Sequence, residues 1–406
     1  MKPPISDLIP PIPDRIEYYW ARLVRASATE RLLISFAALL ASLFVGVFVI
    51  VISGWVATCG NPFLTLPVVG TFCYDPIAVY VTLIQGAFGS SFNIALTLQA
   101  TTILLFTGLS VAVAFRAGMF NIGTQGQFVL GALATGLVVV WAGSIVPNGI
   151  LGTLILVPTG VLAGAAVGGI YGAIPGALKA YADANEVITT IMLNFIAADT
   201  AFVLVKRFFK DPATQTVRTR PVPDRALLEP LFFSPGAPVS TIAILGGLIL
   251  IVVIYLVLNY TGFGYDLRTS GIQPKAAEYG GVKAKPTMVA SMALSGGIGG
   301  IGGSIYVLMV QGYFQTGIPP VGFDGITVSI LAGNHPLGVI PAALLFGILK
   351  SGSLTVDFTL GVPRELVGVL RGLIILFIAM PEFFRMLGSS LGIAPDGLED
   401  DGGEDS

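Results

Sequence analysis

Leu32-Leu-Ile-Ser-Phe-Ala-Ala-Leu-Leu-Ala-Ser-Leu-Phe-Val-Gly-Val-Phe-Val-Ile-Val-Ile-Ser-Gly-Trp55 carries no charged side chain from end to end. Roughly twenty apolar residues suffice to cross a bilayer core, so this stretch reads as a membrane span. It is longer than the apolar core of a signal peptide and follows a polar segment, and is therefore expected to stay in the membrane as an anchor. Arg15, Arg22, Arg25 and Arg31 precede it, and cations beside a first span hold that end in the cytoplasm.

The rest of the chain extends this pattern. Hydrophobic residues make up 54% and charged residues 11% of the 406, against about a quarter charged in ordinary soluble domains, and the mean hydropathy is +0.86. Most of the chain must lie away from water. The expected fold is all-α and polytopic, with about ten crossings: Leu32 to Gly54, Asn93 to Phe115, Gly126 to Ala142, Ile150 to Ile174, Val187 to Val205, Val239 to Tyr260, Thr287 to Val310, Phe323 to Gly333, Leu337 to Gly352 and Leu366 to Met380. Ile77 to Phe88 suits a further helix at the outer surface. Domain expectations are a cytoplasmic segment 1–31, a membrane domain 32–381, and an acidic tail 382–406 too poor in apolar residues to fold. Both termini are then cytoplasmic in a plasma-membrane protein. Arg116, Lys179, Arg268, Lys275, Lys283 and Lys285 fall inside, whereas the basic loop Lys206 to Arg225 falls outside and violates the bias.

Between two apolar halves lies the polar hinge Gly262 to Pro286. Pro274 suits a first helical position and Gly280 a left-handed residue past a helix end, so Pro274 to Tyr279 reads as a helix of one to two turns. So short a helix is marginal alone and needs something packed against it. Its expected partner is another protein, reached by Arg268, Pro274, Lys275, Ala276, Ala277, Glu278 and Tyr279.

Two stretches break the apolar pattern in corresponding ways: Phe115-Arg-Ala-Gly-Met-Phe-Asn-Ile-Gly-Thr-Gln-Gly-Gln-Phe128 and Gln311-Gly-Tyr-Phe-Gln-Thr-Gly-Ile-Pro-Pro-Val-Gly-Phe-Asp-Gly325. Non-helical backbone at membrane depth survives only when buried in protein or lining a wet cavity, and paired interruptions mark a transport path. Ordinary surface loops are the plainer alternative. The expected lining is Asn121, Gln125, Gln127, Phe323 and Asp324, mostly neutral groups that suit an uncharged, hydroxylated solute better than an ion. Asp199, Glu365 and Arg371 also fall in or beside spans, as members of a proton relay or, for Glu365 and Arg371, as interfacial anchors.

Glycines from Gly164 to Gly176 recur every four residues and leave a smooth face for helix packing. Gly297-Ile-Gly-Gly-Ile-Gly302 matches a dinucleotide fingerprint in form, but it lies inside an apolar span without a preceding strand, which favours packing. The sequence contains no Gly-x-x-x-x-Gly-Lys-Ser/Thr loop and so no visible means of binding ATP itself. Cys59 and Cys73 share the first outer connection, as a disulfide or as two thiols. The one histidine, His335, precedes Pro336 as a turn residue. Neither a nucleophile with its base nor a metal set is apparent, so no catalytic residue is expected.

Arg116-Ala-Gly-Met-Phe-Asn-Ile-Gly-Thr-Gln-Gly-Gln127 with Leu130 to Thr135, Asn185-Glu-Val-Ile-Thr-Thr-Ile-Met-Leu-Asn194, and Gly322-Phe-Asp-Gly-Ile-Thr-Val-Ser-Ile-Leu331 with Asn334-His-Pro-Leu-Gly338 resemble the permease subunits of ATP-binding-cassette importers. The branch is that of nucleosides and simple sugars, within the group that includes branched-chain amino acid and ribose permeases. The likeness spans roughly Asn93 to Pro381. Gln125 departs from it, since the branch usually carries glutamate there. The resemblance implies two related permease subunits, two cytoplasmic ATPase subunits that bind the ATP, and an outer lipid-anchored binding protein. It also implies that Lys275-Ala-Ala-Glu278 is the docking element for the ATPases and that nucleosides, or sugars such as glucose, are carried inward. An ion-coupled carrier working alone is the competing class.

Overall fold

The computed structural model describes residues 28–377, apart from 61, 235, 371, 374 and 375. The expectations for Arg15, Arg22, Arg25, Arg371 and the acidic tail fall outside these residues, as does part of the proposed span Leu366 to Met380. The chain divides into two compact units, one holding the described parts before 77 and after 364, the other residues 77–364.

In the first unit, α1 (Ala28–Val56) runs through the opening apolar stretch. A feature not anticipated follows: strands β1 (Leu64–Leu66) and β2 (Gly70–Phe72) pair antiparallel, with Leu64 opposite Phe72 and Leu66 opposite Gly70. Trp55 Nε1 donates to the Val69 carbonyl at 2.8 Å, and Cys59 is bonded to Cys73, which settles the alternative left open by the sequence in favour of the disulfide.

The second unit contains α2 (Pro76–Phe88), α3 (Ser91–Arg116), α4 (Thr124–Gly143), α5 (Ile150–Ala182), α6 (Glu186–Leu204), α7 (Thr241–Tyr260), α8 (Gly262–Ile272), α9 (Pro274–Tyr279), α10 (Ala284–Ile305), α11 (Val321–Leu331) and α12 (Val339–Leu360). Among the described residues, seven helices are long and apolar enough to cross a membrane. Leu32 to Gly54 and Leu366 to Met380 are not counted among the seven, and neither is the expected span Phe323 to Gly333. Its helix α11 has 11 residues and rises only about 16 Å at about 1.5 Å each, half of a bilayer core. Two boundaries also move. α5 continues through Pro175 to Ala182 rather than stopping at Ile174, and α12 runs on past Gly352.

Helix starts follow local chemistry. Ser90 accepts from the Asn93 amide at the head of α3, Asn185 from Val187 and Ile188 at α6, and Thr261 from Gly264 at α8. Pro274 takes the first position of α9 as expected, but Gly280 has φ −79°, and the left-handed residue is Gly281 at +85°.

α10 lies at the centre, packed on α5, α4 and α3. Gly160, Gly164, Gly168, Gly172 and Gly176 are all buried along one face of α5. A β-carbon on Gly300 would meet the Gly164 carbonyl at 2.1 Å, and one on Gly296 the Gly168 carbonyl at 2.3 Å. The apparent dinucleotide fingerprint is therefore a stretch of helix, and the backbones touch as small-residue packing requires. Thr135 Oγ1 lies 2.9 Å from the Gly160 carbonyl and 2.7 Å from Ser304 Oγ, which ties α4 to the same pair.

The basic loop after α6 is less free than a solvated charge run. Its 217–222 segment pairs with the backbone after α10, where the Thr219 amide donates to the Phe314 carbonyl at 2.9 Å and the Val222 amide to that of Gly312 at 2.8 Å. Arg218 pairs with Asp211 at 3.4 Å, and Arg225 donates to the Gly143 and Val146 carbonyls and to Asn148. Lys206, Arg207, Lys210 and Arg220 remain exposed.

Candidate solute path and coupling surface

Each interrupted stretch holds a non-helical break in the structure, at 117–123 and 312–320. The first follows α3, turns at Gly118 (φ +66°) and re-enters helix at Thr124. The second follows a π turn over Tyr306–Gln311, reverses at Gly312 (φ +70°) and re-enters at Val321. Freed backbone groups at such depth need partners, and the polar side chains supply them.

Gln125 joins the two stretches. Its Oε1 accepts from the Gly322 amide at 2.7 Å and its Nε2 donates to the Pro319 carbonyl at 3.1 Å. A neutral carboxamide meets one donor and one acceptor at once, which a carboxylate cannot do.

Asn121 and Gln127, expected in the lining, are instead sealed inside, at 0% and 1% exposure. Their carboxamides bond each other in both directions, at 2.9 and 3.2 Å, and Asn121 Nδ2 also donates to Ser295 Oγ at 2.7 Å. Ser295 Oγ in turn donates to the Ser110 carbonyl at 2.6 Å. A buried amide left unpaired is costly, so this closed set fixes α3, α4 and α10 around the first break. Asn194 completes it from α6, accepting from the Gly126 amide at 2.8 Å and donating to the Ile122 carbonyl at 3.0 Å.

Phe323 is 40% exposed. Asp324 Oδ2 lies 3.0 Å from Lys350 Nζ, the two side chains being 25% and 33% exposed. Lys350 stands midway along α12 and was missed at the sequence level, although it is the one charge in Leu337 to Gly352. Beside it, a cavity of about 220 Å³ is lined by Gln99, Tyr306, Pro319, Val321, Lys350 and Ser351. Asp199 is exposed midway along α6 and Glu365 is exposed near the start of a helical stretch, the latter as an interfacial anchor would be.

The polar hinge forms two helices rather than one. α9 buries Ala277, 1% exposed, so this residue packs inward and is not available to fill a partner's groove. Tyr279, 96% exposed, and Ile272, 85%, point outward with Lys275 and Glu278. Beside α9 a groove of about 690 Å³ is lined by Lys179, Asp183, Pro274, Lys275, Glu278 and Lys285. Lys179 is shared between Asp183 and Glu186, each at 3.5 Å. Asn185 caps α6.

The hinge contacts the first break directly. Gly271, near the end of α8, sits so close to Ala117–Gly118 that a β-carbon there would meet the Ala117 carbonyl carbon at 2.5 Å. At the same end, Arg116 Nε donates to the Asn334 carbonyl at 3.0 Å and His335 packs against the Tyr255 ring. Burial, helped by the nearby Arg116 charge, holds the His335 imidazole below its ordinary pKa. Among the described residues no three His, Cys, Asp or Glu side chains are grouped to hold a metal ion.

A bundle of apolar helices with two clasped breaks, the hinge helix α8 packed against the first of them, fits a transport permease. The chain belongs to the permease component family of the branched-chain amino acid transport system, which matches residues 93–379. It is 34% identical to the nucleoside ABC transporter permease protein NupB of Lactococcus lactis, over 76% of this chain and 85% of that one. It is 32% identical to the guanosine ABC transporter permease protein NupP of Bacillus subtilis, over 89% and 97%, and 30% identical to the glucose ABC transporter permease protein TsgB13 of Haloferax volcanii, over 79% and 84%. No solved structure matches it. The chain is thus a multi-pass permease subunit of an ATP-binding-cassette importer, and such a subunit works with ATPase partners and a second permease.

Proposed function

We propose that this subunit carries nucleosides into the cell across the plasma membrane, with ATP bound and hydrolysed on partner chains. The observation that carries the reading is its likeness, over most of its length, to two permeases named for nucleoside and guanosine transport. The solute passes the side of the bundle where Gln125, Phe323 and Asp324 gather, with Lys350 as a further polar group. Asn121 and Gln127 hold the frame behind them.

ATPase subunits engage α9 through Lys275, Ala276, Glu278 and Tyr279, while Pro274 and Ala277 set the helix and Arg268 flanks it. Push on α9 reaches the solute side through Gly271 against Gly118. An outer lipid-anchored binding protein delivers the solute and meets the exposed cations Lys206, Arg207, Lys210 and Arg220. This orientation agrees with the Cys59–Cys73 disulfide, since oxidised cysteines belong outside the cytoplasm, and, with α11 and the extended stretch before it together making one crossing, both termini are then cytoplasmic.

Uptake of labelled guanosine by the assembled importer in proteoliposomes, driven by ATP and challenged with excess glucose, tests the reading. Uptake that glucose leaves unchanged supports it. Glucose-inhibited uptake supports the sugar alternative, which the Haloferax likeness favours. Transport by the lone chain on an ion gradient would overturn both. Glu278→Arg or Tyr279→Ala is expected to release the ATPase subunits while the permease still reaches the membrane.

A further inference from the structure

One side of α6 is an exposed seam among the described residues. Ile188, Met192, Phe195 and Phe202 are 60%, 51%, 64% and 39% exposed, and Asp199, between the last two, is also exposed. Steps of four, three, four and three residues make these five positions one a/d-type line, the pattern by which a helix meets another helix. The opposite side is committed: Thr190, Asn194, Ala197 and Ala201 are buried. The two Asn194 hydrogen bonds and the bond from Tyr171 to the Leu193 carbonyl at 2.7 Å lock the helix rotation, so Asp199 cannot turn inward.

The helical stretch Glu186–Phe209 has 24 residues. Asp199 lies about 20 Å along it at about 1.5 Å per residue, well inside the hydrocarbon layer. A carboxylate is among the costliest groups to leave facing lipid, and aspartate is too short to reach the interface. None of the ion pairs among the described residues includes Asp199. One polar residue in an otherwise apolar seam is a means of fixing partner and register.

We propose that this face of α6 is the contact with the second permease subunit, and that the partner is a different chain presenting a hydrogen-bond donor or cation opposite Asp199. A second copy of this chain is disfavoured on the same ground: α6 against α6 about a two-fold axis sets carboxylate near carboxylate in a low-dielectric medium. The inference rests on the reading that the chain works beside a second permease.

The test uses the intact importer purified in nanodiscs, with the photoreactive residue p-benzoylphenylalanine placed at Met192 or Phe202, and at Ile249 on α7 as control. Adducts from 192 and 202, but not 249, with a second, non-identical permease chain are expected. Adducts only with lipid, or adducts between two copies of this chain, would overturn the proposal. In parallel, Asp199→Leu should lower the amount of second permease retained in a pull-down about three- to twentyfold, while Asp199→Asn, which still accepts a hydrogen bond, retains most of it. Equal retention by wild type and Asp199→Leu would also overturn it. If no second permease accompanies the wild-type chain, the assembly reading falls too; if one does and the α6 adducts are absent, the seam alone falls.

Discussion

Replacing Gln125 by glutamate isolates the clasp between the two broken stretches. The variant keeps an oxygen for the Gly322 amide, now at 2.7 Å, but sets a second oxygen against the Pro319 carbonyl 3.1 Å away, where the amide nitrogen had donated. Leaving that acceptor unsatisfied costs about 1–3 kcal/mol. A protonated glutamic acid can donate again, so the folded protein favours the neutral acid and raises its pKa above the usual value of about 4.3. For a group raised in the folded state, the stabilising contribution is complete below the unfolded pKa and is lost as pH rises through the folded one. Denaturant unfolding in nanodiscs should therefore show Gln125→Glu weakened against wild type at pH 8 and approaching it toward pH 5. Gln125→Met, which loses both bonds, should stay weakened at every pH. A Gln125→Glu protein as stable as wild type at pH 8, or a deficit that ignores pH, would refute the clasp.

Other outcomes follow from the same geometry. Gly271→Ala inserts a methyl against Ala117 and Gly118; at about 1–3 kcal/mol of overpacking the subunit should still assemble, but ATP hydrolysis should continue with little uptake, measured on the same proteoliposomes. Asp324→Asn removes the carboxylate from Lys350, a charge-assisted contact worth about 1.5–3 kcal/mol, and should lower transport rate, with Asp324→Asn/Lys350→Met recovering stability in denaturant unfolding but not transport. His335 is held below its ordinary pKa, so the unfolded chain binds its proton first as pH falls; stability from this group is present above about 6.5 and declines below it, a slope that His335→Asn should remove in unfolding measured from pH 7.5 to 5.

The bundle was legible because apolar length is a one-dimensional property: seven helices lie where apolar runs predict them. What escaped was set by distant residues. α5 continues past Pro175, where Gly172 and Gly176 on either side of it pack against α10. The hairpin Leu64–Phe72 has strands of three residues each, too short for a pattern to show. The interrupted stretches were recognised from Gly, Pro and amide content, but composition cannot say whether an amide faces a cavity or another amide. Asn121 and Gln127 found each other and Ser295, whose place opposite Ser110 is 185 residues away in sequence. In α9, the two adjacent alanines look equivalent on paper, and only helix rotation sends Ala277 inward.

The contact between α5 and α10 carries a consequence for how the subunit moves. Side chains give an interface alternative arrangements, because rotamers can swap between one fit and another. Where glycine backbones touch, there is nothing to swap, and a small slide drives carbonyls into α-carbons. These two helices should travel as a single plank through the pumping cycle.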